Sequence, residues 1–435
     1  MRGRHVGTRG LVGIVLARLA VNGGLRVVYP FLAVIAYGLG LSVETIALLV
    51  ASRSLAGLAG PTVARLVTPR RRRDLMLASQ LLLAAGCVLI IAPYRGPGPV
   101  GLGMAGAGFV ATGLARPVFD LPMQTWVTAH VPAAARGRAF GLTELSWALS
   151  LALTVPAAGV LIDRAGWRSP FVLVIGMAVV GALALVLTVP DDRTNRSASR
   201  TTPGSDLYVP PTRGPATPAA VAVCVAAGLA VAAAESLLMV HGVWLASDFG
   251  LSVSQIATSA LVIVLAELAG EGLMIAFADR LGLARTLFAA LLLSVAAYGA
   301  LGLVGQRIGL ALTAIGVLFV AFEITVIVSI AVVSTTAEAG RNAGMLGSLM
   351  AAIACGNAAG AAVGPALFAV GGIRLSGVVS ALAVAGAAAL LIRAGVLPTG
   401  ARQDVSGLAT RHGAVPRAAG RAATGRMRPV GLHAP

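Results

Sequence analysis

The sequence contains no lysine: all 33 of its basic residues are arginine. Charge of either sign is scarce, at 11% of 435 residues, and only 16 residues are acidic. A chain that is 57% hydrophobic, with a mean hydropathy of +0.90, has too little polar surface to wrap a water-soluble core. That excludes an ordinary soluble domain. Cysteine is rare as well. Cys87, Cys224 and Cys355 each fall inside an apolar block and far from one another, which leaves no disulfide framework and no thiolate metal site. There is no hydrolytic triad, no HExxH and no phosphate-cradling glycine loop. The chain is therefore expected not to be an enzyme and to need no cofactor and no metal.

What the chain does have is apolar blocks of about 20 to 30 residues, each long enough to cross roughly 30 Å of hydrocarbon as a helix. Twelve such spans are predicted. Six lie at 11–38, 43–66, 75–94, 99–127, 138–162 and 168–189, and six at 217–246, 252–277, 283–304, 308–336, 341–370 and 373–396. The opening residues 1–10 form a short tail. The first apolar run resembles a signal peptide, but Arg18, Asn22 and Arg26 interrupt it, so it is expected to stay as span 1. Residues 191–216 have the composition of a linker, and 397–435, rich in Arg, Ala, Gly and Pro, that of a disordered basic tail.

The net charge of +17 would suggest nucleic acid in a soluble protein; beside membrane spans it is explained by orientation and anionic lipid. With the N-terminus inside, the inner segments hold 24 arginines and the outer loops five; setting aside the five beyond residue 410 leaves 19 against five. Both termini are expected in the cytoplasm, and the protein in the cytoplasmic membrane.

The chain also repeats itself. GLSV at 40–43 recurs at 250–253, and LAGLAG at 55–60 corresponds to LAELAG at 265–270, both at an offset of 210. Two copies of a membrane unit half a chain apart imply two equivalent halves, 11–190 and 217–396. After span 8 stand Ala278, Asp279, Arg280, Gly282 and Arg285; at the end of span 2 and just beyond it stand Gly60, Arg65 and the run Arg70 to Arg73, with no acidic residue before them. Pro156 and Gly159 in span 5, and Gly356, Gly360, Gly364 and Pro365 in span 11, form a second pair of related motifs.

On these residues the chain resembles the major facilitator superfamily of secondary transporters over nearly its whole length. The resemblance implies an all-α membrane fold of two pseudo-symmetric six-helix bundles and transport of a small molecule by alternating access. It also implies a gating role for Gly60, Arg65, Asp279, Arg280, Gly282 and Arg285, and a central cavity lined by spans 1, 4, 7 and 10. The span 5 and span 11 glycines fit either gating or tight packing.

Ionisable groups inside a span cost about 2.5–3.5 kcal/mol each and need a partner or a wet cavity. Span 1 places Asn22, Arg26 and Tyr29 on one face by spacings of four and three, and Arg53 stands in span 2. In the second half stand Glu235, Glu323 and, toward the inner end of span 8, Glu267 and Glu271. Positive groups collect in one half and negative groups in the other. They are expected either to pair across the halves or to form a site in which Glu235 and Glu323 handle protons and Arg26 attracts substrate. Phe109 and Thr112 are expected to face that cavity, Arg116 and Asp120 to pair on span 4, Glu144 and Trp147 to sit near the inner interface, and His241 near the outer one. The expected function is proton-coupled efflux of amphipathic solutes by a monomer in contact with lipid. Nutrient import and a non-transporting sensor or scaffold are the alternatives.

Overall fold

Each half opens with the same local device. Gly40 takes φ 65°, a left-handed value that suits glycine, and ends the helix Leu32–Leu39. Ser42 then caps the next helix by accepting the Thr45 N–H at 3.2 Å. In the second half Gly250 also takes φ 65°, and Ser252 accepts the Gln255 N–H while the Gln255 side chain accepts the Ser252 N–H. The repeat in the sequence is a repeat of the backbone.

The computed structural model describes residues 2–92, 98–190, 218–336 and 342–396, with the side chains of 2–8, 133–138, 141, 275–281, 334–336 and 342–344 excepted. The expected linker at 191–216 and tail at 397–435 lie outside the described residues. Those described contain no strand. Ten helices are long and apolar enough to cross a membrane. One of them is part of the 52-residue helix Asn342–Arg393, roughly 78 Å long and so twice a span. It bends at Gly371 and Gly372, where the sequence places the turn between spans 11 and 12. Span 1, broken in two, is not among the ten; with it the described residues are consistent with the twelve crossings expected.

That break corrects the continuous helix expected at 11–38. Helix Arg2–Arg26 ends, a turn follows, and the chain resumes at Leu32–Leu39. Pro30 has no N–H to give and its ring crowds the carbonyl four residues earlier, which favours a break here, although Pro117, Pro122 and Pro365 lie inside continuous helices. Tyr29 N–H turns back to the Arg26 carbonyl instead, at 3.3 Å. Span 5 is also irregular: a π-helical turn, Ser150–Thr154, precedes Val155–Ala165, with Pro156 in its first turn.

Packing within each half relies on missing side chains. In spans 3 and 4, Gly86 and Gly108 face each other so closely that a Cβ on either would lie within 2.8 Å of the other's carbonyl. In spans 7 and 11, a Cβ on Gly364 would lie 2.6 Å from the Ser236 carbonyl, and one on Gly360 would lie 2.7 Å from the Glu235 Cβ. Such small-residue seams let helices approach at backbone distance. Outward, side chains such as Leu81, Val100, Leu187 and Leu382 stand exposed, a surface suited to hydrocarbon.

Between the halves, spans 2 and 11, 5 and 8, and 1 and 7 meet. On the side of the membrane where Gly40 turns, this seam is shut. A Cβ on Gly159 would fall 2.6 Å from the Ala257 Cβ, and the Pro30 carbonyl fills the place of a Cβ on Gly242. On the opposite side, where Pro69 turns, Glu144 and Arg116 keep 58% and 43% of their side chains exposed.

Candidate functional site

The broken span 1 generates the centre of the site. Interrupting a helix orphans its last carbonyls, and the Leu25 carbonyl is taken by the Arg53 guanidinium of span 2 at 2.8 Å. A cation at a helix C-terminus is favoured by the dipole as well as by the hydrogen bond. Arg53 also lies over the Tyr29 ring, 5.1 Å from its centroid.

One residue after Leu25, Arg26 reaches across to the other half. Its Nη1 and Nη2 donate to Oε2 and Oε1 of Glu267 in span 8, at 3.0 and 2.7 Å. Both side chains are 6% exposed, so this is a buried bidentate ion pair bridging the halves. The same guanidinium lies 3.8 Å from the centroid of the Trp147 ring in span 5. Arg116 of span 4 lies over that ring too, at 4.7 Å.

On the Pro69 side of Arg26, Arg18 gathers spans 1, 4 and 5. It donates to Asp120 at 3.0 Å, meets Glu144 at 3.0 Å, and donates to the Thr143 carbonyl at 2.6 Å. Arg116 also approaches Asp120, at 3.6 Å, so the pairing expected on span 4 exists but is shared with a closer cation. Asn22, a turn from Arg18, donates to the Ser146 hydroxyl at 3.2 Å.

In the second half, Glu235 is buried beside Tyr29 and Arg53, with Arg26 in electrostatic reach. Glu323 packs against Gly270 of span 8, where a Cβ would lie 2.9 Å from its own, between Glu267 and Glu271 on that helix. The carboxylates of Glu267 and Glu271 lie within its electrostatic reach, and Arg26 is the one cation that does so among the described residues. The membrane interior thus holds four described guanidiniums, of Arg18, Arg26, Arg53 and Arg116. Asp120 and Glu144 pair with Arg18 and Glu267 with Arg26, Glu235 lies within electrostatic reach of Arg53, and Glu271 and Glu323 cluster with Glu267.

A cavity bordered by Arg26, Tyr29, His241, Glu267 and Phe319 lies on the seam. It admits water centres over about 20 Å³, room for a water molecule or two and for no organic solute.

Of the expected residues, Arg26 and Tyr29 border this cavity, Glu235 and Glu323 lie within electrostatic reach of Arg26, and Asn22 bonds Ser146 of span 5. Thr112 packs against Gly86 of span 3 and donates to the Phe109 carbonyl of its own helix at 2.7 Å. Phe109 is wholly buried, and neither borders the cavity. Trp147 is the platform under two guanidiniums, and Glu144 pairs with Arg18 of span 1. Glu267 was visible as an acid toward the inner end of span 8, but its depth alone did not single it out as the partner of Arg26.

Of the motif residues, Gly159 packs against span 8, Gly360 and Gly364 pack against span 7, and Pro365 lies within the span 11 helix. Gly60 begins the short helix Gly60–Leu66, Arg65 and Arg285 are exposed, and Gly282 takes φ 77° to start span 9. The side chains of Asp279 and Arg280 lie outside the described ones.

Two solved structures of a bacterial homolog of the human lysosomal transporter Spinster share this fold. The inward-facing, occupied one is 17% identical, with a TM-score of 0.68 over 90% of this chain and 98% of its own. The inward-facing, unoccupied one is 15% identical, with a TM-score of 0.70 over 91% and 99%. No curated protein sequence matches. The family model of the Major Facilitator Superfamily matches residues 14–243, over half of the sequence. With the folding pattern and the repeat, that match makes this chain a multi-pass membrane protein belonging to the major facilitator superfamily of transporters.

Proposed function

We propose that the protein is a secondary transporter that exports a small organic solute from the cytoplasm in exchange for protons, the two halves rocking about the Arg26–Glu267 bridge. The observation that carries this reading is the bridge itself: a buried bidentate ion pair spanning the two halves, with Glu323 and Glu271 clustered beside its carboxylate. A buried ion pair adds little net stability over an apolar pair. Its place on the seam suits a contact that must open and re-form. The extra carboxylate, Glu323, is the group proposed to carry the proton, with Glu235 as a second. The arginine-rich side, where Pro69 turns, is taken as cytoplasmic. The seam shut on the Gly40 side then corresponds to an inward-facing arrangement, like that of the two bacterial structures.

Purified protein in vesicles tests this. An imposed pH gradient should drive solute movement, and Glu323→Gln should abolish the driven component while leaving the protein folded. Full driven transport by that variant would end the proton assignment. A second reading has one observation in its favour: a cavity of about 20 Å³ suits a non-transporting scaffold as well as a carrier between substrates. Vesicles in which no solute moves under any gradient would favour the scaffold.

A further inference from the structure

Buried polar atoms without a partner show what a site lacks. On the membrane-spanning parts of spans 1 and 7 these are Asn22 Oδ1, Glu235 Oε1, His241 Nε2 and Ser236 Oγ. The Ser236 hydroxyl lies in the seam with Gly364, and it can donate or accept. The other three have one polarity. Asn22 commits its amide N–H to Ser146, which leaves its carbonyl oxygen. Glu235, 94% buried by its 6% exposure, offers a carboxylate oxygen. His241, 2% exposed, faces the Leu238 carbonyl through Nδ1 at 2.7 Å. A carbonyl only accepts, so Nδ1 carries the proton and Nε2 of the neutral ring is a lone pair. Every one of the three is an acceptor.

We infer that the site binds a small organic cation with N–H donors, a primary or secondary ammonium or an amidinium, which replaces Arg26 as the partner of Glu267 and donates to His241 Nε2. Arg26, His241 and Glu267 border one cavity, and Phe319, Leu151 and Ile263 supply an apolar wall for the hydrocarbon part. The cavity has space only for water, so room for the ligand comes from the guanidinium leaving Glu267. Arg26 has somewhere to go, since it already lies over Trp147 and within electrostatic reach of Glu323. Its arrival there favours loss of a Glu323 proton, so that one cation enters as one proton leaves. Binding itself does not depend on the carrier reading; the exchange rests on it.

Three matched probes test the inference on the purified full chain by titration calorimetry and thermal shift: 2-phenylethylammonium, its N,N,N-trimethyl analogue and 3-phenylpropionate. The primary ammonium should bind saturably and raise the melting temperature. The trimethyl analogue, charged but without donors, should bind at least about tenfold more weakly, and the carboxylate not at all. His241→Leu should weaken the primary ammonium about tenfold and leave the trimethyl analogue unchanged, a pattern that general misfolding does not give. Preference for the carboxylate, equal binding of the two cations, wild-type affinity in His241→Leu, or no saturable ammonium binding at millimolar concentration would each overturn the inference. Ammonium binding without any gradient-driven transport in vesicles supports the inference and sinks the carrier reading. Driven transport of a neutral or anionic solute without ammonium binding does the reverse.

Discussion

At Gly40 and at Gly250 the two halves of the chain share a backbone angle, a serine cap and the entry to a membrane span. A few turns further they diverge. Arg53 stands in span 2, Ile263 at the matching position of span 8, and Glu267 one turn beyond it. The difference separates two kinds of constraint. A turn answers only to its own backbone, so both copies keep it. A buried charge answers to its partner wherever that lies: Arg18 pairs with Asp120 and Glu144 inside its own half, whereas Arg26 finds Glu267 only across the seam, so at the seam the halves carry complementary charges, not equal ones.

The related glycine motifs diverge in the same way. In the second half Gly360 and Gly364 bind span 11 to span 7 of the same bundle, whereas Gly159 in the first half presses span 5 against span 8 of the other. One motif holds a bundle together, and its counterpart lies where the two bundles meet.

The complementarity is broken most severely by removing one member of the bridge. Arg26→Ala leaves the Glu267 carboxylate buried and unpaired, and should cost about 3–5 kcal/mol in unfolding from mixed micelles. Arg26→Met combined with Glu267→Leu should recover most of that loss, because an apolar pair needs no compensation. If the double variant is no more stable than Arg26→Ala, the bridge is not the charge balance described here. A smaller effect should distinguish the glycines. Gly360→Leu forces a side chain against the Ala232 backbone and Glu235, and should cost about 1–3 kcal/mol. Gly159→Leu, at a seam able to part, should cost less than half of that; equal melting-temperature losses would erase the contrast. Smallest of all, Ser252→Ala and Ser42→Ala should each cost about 1 kcal/mol, since each loses one hydroxyl acceptor for a first-turn N–H while the Ser252 N–H keeps its bond to Gln255. A larger loss at Ser42 would show that the two entry turns are not equivalent.

Much of the fold was legible because hydrocarbon imposes simple rules. Span length, the offset of 210 and the turn at Gly371–Gly372 could all be counted along the chain. The break in span 1 was signalled by Pro30, although the hydrophobic run concealed it. The site was legible in depth but not in direction. Arg26 could be placed within span 1, Glu267 toward the inner end of span 8 and Trp147 near the inner interface, yet which faces which depends on the rotation of three helices about their axes, which packing sets and sequence periodicity does not. Thr112 shows the same limit: it shares a helix with Arg116 but faces span 3. His241 looked like an interfacial residue because its outward position was visible, while its free nitrogen could be recognised only from the Leu238 carbonyl beside it.

The most direct test of the account is solute flux driven by a pH gradient in vesicles holding the Arg26→Met, Glu267→Leu variant. If the bridge exists to open and re-form, this protein should be folded and at least as stable as the Arg26→Ala variant, yet move no solute above the protein-free background. Driven flux at the wild-type rate would contradict it, since the halves would then be rocking without the ion pair that is proposed to join and release them.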